Sequence, residues 1–278
     1  MIYALRDATG TVPSKALIAS SIMSKKLSEA IDALVLDIKV GNGAFMKTLT
    51  EADELANMMI GIGAAHRIEV IAVFTAMDQP LGREVGNASE LVESIDVLRG
   101  DGPGDLTEVV YALGAEMLVT GTLCADYEEA ENRMRQAVDS GKALAKFREV
   151  VIAQGGDARV IDDPSLLPRA PHVHHVRAMR TGFVTGCDAR DIGVASVRLG
   201  GRREHKEDDI DPSVGITLRR KIGEAVVEGD AVTDVRCTSE ARLEAALDLL
   251  KNAWTIGVEP PPPRPVVVGK TGKQGEGT

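Results

Sequence analysis

The sequence predicts an α/β fold with a small α+β module after it, and three observations support this. Apolar, strand-like runs at 33–40 and 68–75 are separated by a helix-like run, which is the alternation of an α/β domain. Hydrophobic residues make up 44% of the 278 residues, enough to bury a sizeable core. Beyond residue 172, short strand-like and helical runs follow one another, as in a small α+β module. We therefore expect a central α/β domain with helices around a mostly parallel or mixed sheet.

The bulk composition excludes several classes of protein. A formal charge of −10 argues against binding to nucleic acid and to anionic membrane surfaces. The sequence contains neither an apolar run of about eighteen residues nor a signal-peptide pattern at its start, so we expect a cytoplasmic protein. The three scattered cysteines, without metal spacing, are expected to be reduced thiols, which fits the same compartment.

The first helix is predicted to begin near residues 11–14, and it carries two candidate binding residues. Ser21 and Lys25 are four residues apart, which places them one turn apart on one face. Arg6, just upstream, could fold back to that face, so that two cations and a hydroxyl meet a flat ligand with carbonyl oxygens. The alternative is a solvated helix face with Arg6 paired to Asp7.

The next elements build the α/β pattern. The strand at 33–40 ends in a glycine-containing loop, a junction where α/β folds place ligands. Within this strand, Asp37 and Lys39 either pair with each other or contribute to a nearby cleft. Thr48 and Glu51 have the spacing of a capping box, which predicts the start of a helix that runs through residue 65.

A helical region and a connector are expected next. A loop at 75–87 leads into a helix that starts near residue 88, and three consecutive scaffold helices follow, at 106–121, 126–141 and 142–155. A proline-containing connector at 163–171 ends this region.

Three histidines open the C-terminal module. Adjacent histidines at 174 and 175 point to opposite faces of a strand, so with His172 they favour a surface strand over a metal site. Later parts of the module are a segment at 183–187, a short helix at 188–199, a hairpin-like stretch over 221–234 and a helix from about 239 to 251. The proline-rich end, 259–278, is expected to be a disordered tail.

Several runs of residues resemble the thymidine and pyrimidine-nucleoside phosphorylase family, in order and over nearly the whole chain. These runs are Tyr3-Ala4-Leu5-Arg6-Asp7 with Ser21 and Lys25, Asp37 to Met46, Gln79-Pro80-Leu81-Gly82 with Gly86-Asn87-Ala88, and Lys206 to Gly215. The resemblance implies that residues 1–30 are a remnant of the family's small α-helical domain. It places the α/β domain at 31–165 and the C-terminal α+β domain at 172–258.

The resemblance also implies an activity and a set of site residues. Family members catalyse reversible phosphorolysis of pyrimidine nucleosides with phosphate as co-substrate, form homodimers and require no organic cofactor. By the motif, Arg6, Ser21 and Lys25 bind the base, and Arg6 and Lys25 stabilise the charge that develops on it. Some members bind a monovalent or divalent cation, which by the match would be held by Leu81, Glu84 and Glu93. The alternative for Glu93 is a solvated acidic face at a helix start.

One part of the family pattern is expected to be missing. Family members carry an upstream segment with a glycine-rich phosphate loop, and this sequence begins just before the base-binding run. The activity would then need a separate N-terminal segment, and two other possibilities stay open. The chain could be a non-catalytic remnant or oligomerisation partner, or a nucleoside-monophosphate phosphorylase of the same superfamily. Arg202 replaces a family glycine after Gly200-Gly201, which would strain the loop if that position needs a positive φ.

Overall fold

A computed structural model describes residues 14–203 and 208–272. The elements of the first half are α1 (Lys15–Ser28), β1 (Ala33–Val40), α2 (Leu49–Ala65), β2 (Glu69–Ala76), β3 (Glu84–Gly86), α3 (Ala88–Arg99), α4 (Gly104–Thr120), α5 (Tyr127–Asp139) and α6 (Lys142–Ala153). Those of the second half are β4 (His172–Arg177), β5 (Gly182–Cys187), α7 (Ala189–Leu199), β6 (Gly215–Leu218), β7 (Ala225–Val226), β8 (Ala231–Cys237), α8 (Glu240–Asn252), β9 (Trp254–Gly257) and β10 (Val267–Thr271). The mixture of parallel and antiparallel strands with helices confirms the predicted α/β class.

The chain divides into two compact units. Unit 1 gathers the described parts of residues 1–76, 108–134 and 265–278, and unit 2 gathers those of residues 77–107 and 135–264. This division by internal contacts differs from the expected domain boundaries, which stay a prediction.

Unit 1 is built on a three-stranded sheet in the order β1-β2-β10. The first two strands are parallel, as their buried apolar runs predicted, and β10 pairs antiparallel with β2. The capping box at the start of α2 is confirmed, because the Thr48 hydroxyl accepts the Glu51 N–H at 3.2 Å and the Glu51 carboxylate accepts the Thr48 N–H at 3.3 Å. Helices α1 and α2 bury their apolar side chains with those of the strands, including Ala19, Met23, Leu36, Ala52, Met59, Val70 and Phe74.

The expectation of a disordered tail over 259–278 is wrong for Val267–Thr271. These residues form β10, and Val268 packs against the core of unit 1. The strand is anchored at Lys270, whose ammonium donates to the buried Glu116 carboxylate at 3.1 Å and to the Tyr127 hydroxyl at 2.7 Å. The edge of β2, Glu116 and Tyr127 are all distant from β10 in the sequence. The local composition of residues 259–278 therefore does not indicate a strand.

Unit 2 contains two small sheets, in the orders β3-β6-β8-β4 and β7-β5-β9. Helices α7 and α8 pack on each other and on both sheets, and they share one apolar core, which includes Val184, Ile192, Leu199, Ile216, Val235 and Leu250.

The predicted hairpin over 221–234 is wrong. The tight turn is present, since the Asp230 N–H donates to the Val227 carbonyl at 2.9 Å, but the strands on its two sides do not pair with each other. Strand β7 pairs with β5 and strand β8 with β4 and β6, so the turn carries the chain from one sheet to the other. The expected strain at Arg202 does not occur either, because its φ is not among the positive values of the described non-glycine residues.

Candidate active site

Helix α1 brings two of the three predicted base-binding residues together. At about 100° per residue, Ser21 and Lys25 lie on the side opposite the buried Ala19 and Met23, one turn apart. Ser21 is half-buried and Lys25 is exposed, so both lie on the side of the helix that faces away from the core of unit 1. The third residue, Arg6, lies outside the described residues.

The end of the parallel strand pair carries a closed polar cluster. The Lys39 ammonium contacts the Asp37 carboxylate at 2.6 Å and donates to the buried Thr75 hydroxyl at 2.9 Å. That hydroxyl donates in turn to the other Asp37 oxygen at 2.5 Å. All three groups satisfy one another, which confirms the structural pairing of Asp37 and Lys39. The cluster fixes the strand ends next to the loop that begins at Gly41, whose φ of 134° favours glycine.

In unit 2, the loop that carries the Gln-Pro-Leu-Gly motif is held through its carbonyl groups by one buried cation. The Lys221 ammonium donates to the carbonyl oxygens of Pro80 at 2.8 Å and Gly82 at 2.7 Å, and it also pairs with the Asp105 carboxylate. Asp105 additionally accepts the Gly82 N–H at 3.2 Å. Lys221 is only 8% exposed, and these oxygens offset the cost of burying its ammonium group.

The same loop is held through its N–H groups by Glu93 of α3. The buried Glu93 carboxylate accepts the backbone N–H of Arg83 at 2.7 Å and that of Glu84 at 3.3 Å. Burial raises the pKa of Glu93, while the two N–H donors oppose the increase. Gly82 has a φ of 69°, and a Cβ there would come within 2.3 Å of the Glu93 carboxylate, so the close approach requires glycine.

The structure therefore brings the predicted cation ligands Leu81, Glu84 and Glu93 into one stretch of unit 2. Glu84 accepts a hydrogen bond from the Thr217 hydroxyl at 2.9 Å, and burial raises the pKa of its carboxyl group. Over residues 14–203 and 208–272, no group of three or more His, Cys, Asp or Glu side chains could hold a metal ion. A cation here would depend on carbonyl oxygens together with Glu93, and the cation site stays a prediction.

Two features of unit 2 were not predicted from the sequence. The contact between Lys221 and Asp105 joins residues 116 positions apart, and no local pattern indicates it. The second feature is the pairing of His175 with the buried Asp234 at 2.7 Å, where Arg219 binds the other carboxylate oxygen. The spacing of two residues between Asp234 and Arg236 could have shown that they share one face of a strand.

In the part of the chain that the structure describes, no helix is both long and apolar enough to cross a membrane. All three cysteines are free and buried.

Two family models and several known proteins match this chain. Residues 8–144 match the family model described as "Glycosyl transferase family, a/b domain", and residues 183–257 match "Pyrimidine nucleoside phosphorylase C-terminal domain". A pyrimidine-nucleoside phosphorylase of Staphylococcus aureus (strain bovine RF122 / ET3-1) is 51% identical over 234 residues, which cover 84% of this chain and 54% of the relative. That of Staphylococcus haemolyticus (strain JCSC1435) is 49% identical over 260 residues, covering 91% and 60%.

The chain thus spans only 54% and 60% of the length of these two relatives. Within that span, both family models match, and about half of the aligned residues are identical to those of the two relatives. The chain belongs to the pyrimidine-nucleoside phosphorylase family.

Proposed function

We propose that this protein is a pentosyltransferase that catalyses reversible phosphorolysis of uridine or thymidine, yielding the free pyrimidine and ribose or deoxyribose 1-phosphate. The main support is the 49–51% identity to proteins named pyrimidine-nucleoside phosphorylase. Helix α1 adds support from the structure, because its Ser21 and Lys25 share one face that points away from the core of unit 1.

The proposed chemistry explains why a hydroxyl and cations are needed at the base. A phosphate oxygen forms a bond to the anomeric carbon, the bond from that carbon to the ring nitrogen breaks, and its electron pair stays on the base. The base carbonyls therefore gain negative charge while the sugar becomes oxocarbenium-like. Lys25 and Arg6 stabilise this charge more strongly than they stabilise the neutral substrate, which lowers the barrier, and the Ser21 hydroxyl orients the ring.

The proposal includes the partners of the reaction and of the protein. Phosphate is the co-substrate, and no organic cofactor takes part. A monovalent or divalent cation held at Leu81, Glu84 and Glu93 would order the loop that precedes α3. We also propose a homodimer that works in pyrimidine salvage in the cytoplasm, and the three free, buried thiols fit that compartment.

The proposal is tested by release of uracil from uridine and thymine from thymidine in excess phosphate. The assay uses the chain alone and the chain mixed with the region of the Staphylococcus aureus relative that it does not match. We expect release in at least one of these conditions, with loss of most activity in the Arg6→Ala variant. Uridine monophosphate as a third substrate distinguishes a nucleotide phosphorylase.

Two results would contradict the proposal. Absence of release in every condition, from protein whose circular dichroism shows a folded chain, would favour a non-catalytic protein. Release only from uridine monophosphate would assign the activity to a different substrate class.

A further inference from the structure

Unit 2 contains a cavity of about 750 Å³ that none of the proposed base-binding residues lines. Its walls come from one face of the β3-β6-β8-β4 sheet, from α3 and from the connector at 164–169. Five arginines line it: Arg83, Arg169, Arg219, Arg220 and Arg236.

The cross-strand register explains the shape of this wall. One row across the sheet, Glu84, Thr217, Asp234 and His175, is closed by side-chain hydrogen bonds. In the next row, Arg236 lies opposite Gly215, which is itself paired with Gly86. Because the two glycines carry no side chains, Arg236 is the only cation of its row.

The start of α3 packs onto those glycines. A Cβ added at Gly86 would lie 2.8 Å from the Ser89 hydroxyl oxygen, and one added at Gly215 would lie 3.0 Å from it. Ser89 also lines the cavity, but its hydroxyl oxygen is buried under the helix. Arg236 is therefore the charged group that this row presents beside the open volume.

Three of the five arginines are neutralised by carboxylates. Arg83 pairs with Glu224 at 2.7 Å, Arg219 with Asp234 at 2.5 Å and Arg220 with Asp230 at 3.4 Å. By contrast, Arg169 and Arg236 form no ion pair and no hydrogen bond with residues 14–203 or 208–272.

The acidic residues of the cavity are mostly engaged elsewhere. Glu84 is bonded to Thr217, Glu93 to the backbone of the preceding loop, and Asp96 lies 3.7 Å from Arg99. The fourth acidic residue, Asp101, lies in the connection between α3 and α4, and it forms no ion pair with Arg169 or Arg236. Among the residues that the structure describes, Arg169 and Arg236 therefore have no bonded counter-ion.

These two arginines lie at the same end of the cavity. The Ala170 N–H donates to the Ser213 carbonyl at 3.0 Å, and Gly215, two residues further, is the register partner of Arg236. Burial lowers the pKa of Arg236 and the charge of Arg169 lowers it further, while the charges of Glu84 and Asp234 partly oppose this decrease. Two neighbouring cations without a bonded counter-ion repel each other, and an anion between them would remove that cost.

We propose that this end of the cavity binds the phosphoryl group of a small phosphorylated organic molecule through Arg169 and Arg236. Guanidinium groups present forked donors that match phosphate oxygens, and two of them can share one tetrahedral group. The cavity volume is within the range of small-molecule sites, about 300–1,000 Å³. It is much larger than the volume that an inorganic phosphate ion alone would occupy. Val92, Leu167 and Leu218 supply apolar surface for the organic part. The site does not include the proposed base-binding residues of α1, although Glu84 and Glu93 of the candidate cation site also line the cavity.

Isothermal titration calorimetry of the full chain tests the site, with phenyl phosphate, inorganic phosphate and phenol as probes. We expect phenyl phosphate to bind most tightly, inorganic phosphate more weakly, and phenol not measurably. The R169M and R236M variants should each bind phenyl phosphate about tenfold more weakly or worse, because each removes a charge-assisted contact. The matched control R190M removes an exposed arginine of α7 and should bind as the wild type does.

Further controls separate this site from the candidate active site. K25M should leave phenyl phosphate affinity unchanged. Arg169 is exposed, so R169M tests the site without disturbing the core, and the fluorescence of Trp254, the only tryptophan, verifies that unit 2 stays folded in R236M. Failure of the wild type to bind phenyl phosphate at millimolar concentration would overturn the proposal. So would wild-type affinity in both R169M and R236M.

Discussion

Replacing Lys221 with methionine removes the cation that holds the loop before β3. The ammonium bonds to the carbonyls of Pro80 and Gly82 and to Asp105, and the side chains of the ion pair are only 10% and 17% exposed. Solvent screening is therefore weak. Breaking a buried pair from one side costs about 3–5 kcal/mol, because the remaining charge is left without its partner.

The lower end of that range applies here. Asp105 keeps two backbone donors, the N–H of Gly82 at 3.2 Å and that of Leu106 at 2.9 Å, which partly stabilise its charge. We expect K221M to lower the free energy of unfolding of unit 2 by about 3 kcal/mol. In a domain of this size the melting temperature should fall by about 6–12 °C.

Urea denaturation followed by Trp254 fluorescence measures this effect in unit 2 alone, because that residue is the only tryptophan and packs against the core of this unit. K251M, which truncates an exposed lysine of α8, is the matched control and should change stability by less than about 0.5 kcal/mol. The double variant K221M/D105L should recover part of the loss, since it leaves no unpaired carboxylate. A K221M variant as stable as K251M would refute the assigned role of the buried ammonium.

Three other predictions concern separate parts of the fold. Thr48→Ala removes the hydroxyl of the capping box and should destabilise unit 1 by about 1 kcal/mol, measured by circular dichroism in urea. Burial already raises the pKa of Tyr127, and K270M should raise it further because it removes a donor to the phenolic oxygen; an ultraviolet titration that shows no increase would contradict this. Burial opposes ionisation of Asp234, but the hydrogen bonds from Arg219 and His175 lower the pKa of this carboxyl group overall. The ionised Asp234 therefore stabilises the fold at pH values above its unfolded pKa of about 3.9, and this stabilisation is lost as the pH falls. The D234N variant should therefore show a flatter decrease in Trp254-monitored stability between about pH 5 and pH 2 than the wild type shows.

Features set by neighbouring residues could be predicted from the sequence. The capping box of Thr48 and Glu51 depends on a spacing of three residues, and the shared face of Ser21 and Lys25 depends on a spacing of four. The strand Ala33–Val40 was recognisable because a run of apolar residues too short for a core helix suits a buried parallel strand.

Features set by distant partners could not be predicted. Strand β10 forms because β2 offers a free edge and Glu116 a buried carboxylate, whereas its flanking prolines and glycines resemble a disordered tail. The pairing of β7 with β5 instead of β8 depends on two separate sheets that share one core. Likewise, the role of Lys221 follows from carbonyl groups about 140 residues away.

The central claim is that one face of α1 stabilises the charge on a departing pyrimidine. The most direct test compares kcat/KM for uridine and thymidine phosphorolysis between K25M and K26M, under whichever condition of the release assay gives activity. Lys26 is a matched neighbour, since it lies on the same helix and pairs with Glu29 at 3.1 Å. We predict that K25M loses about 100-fold or more in kcat/KM while K26M stays within about twofold of the wild type. Full activity in K25M, or equal losses in both variants, would contradict the assignment of this face to the base.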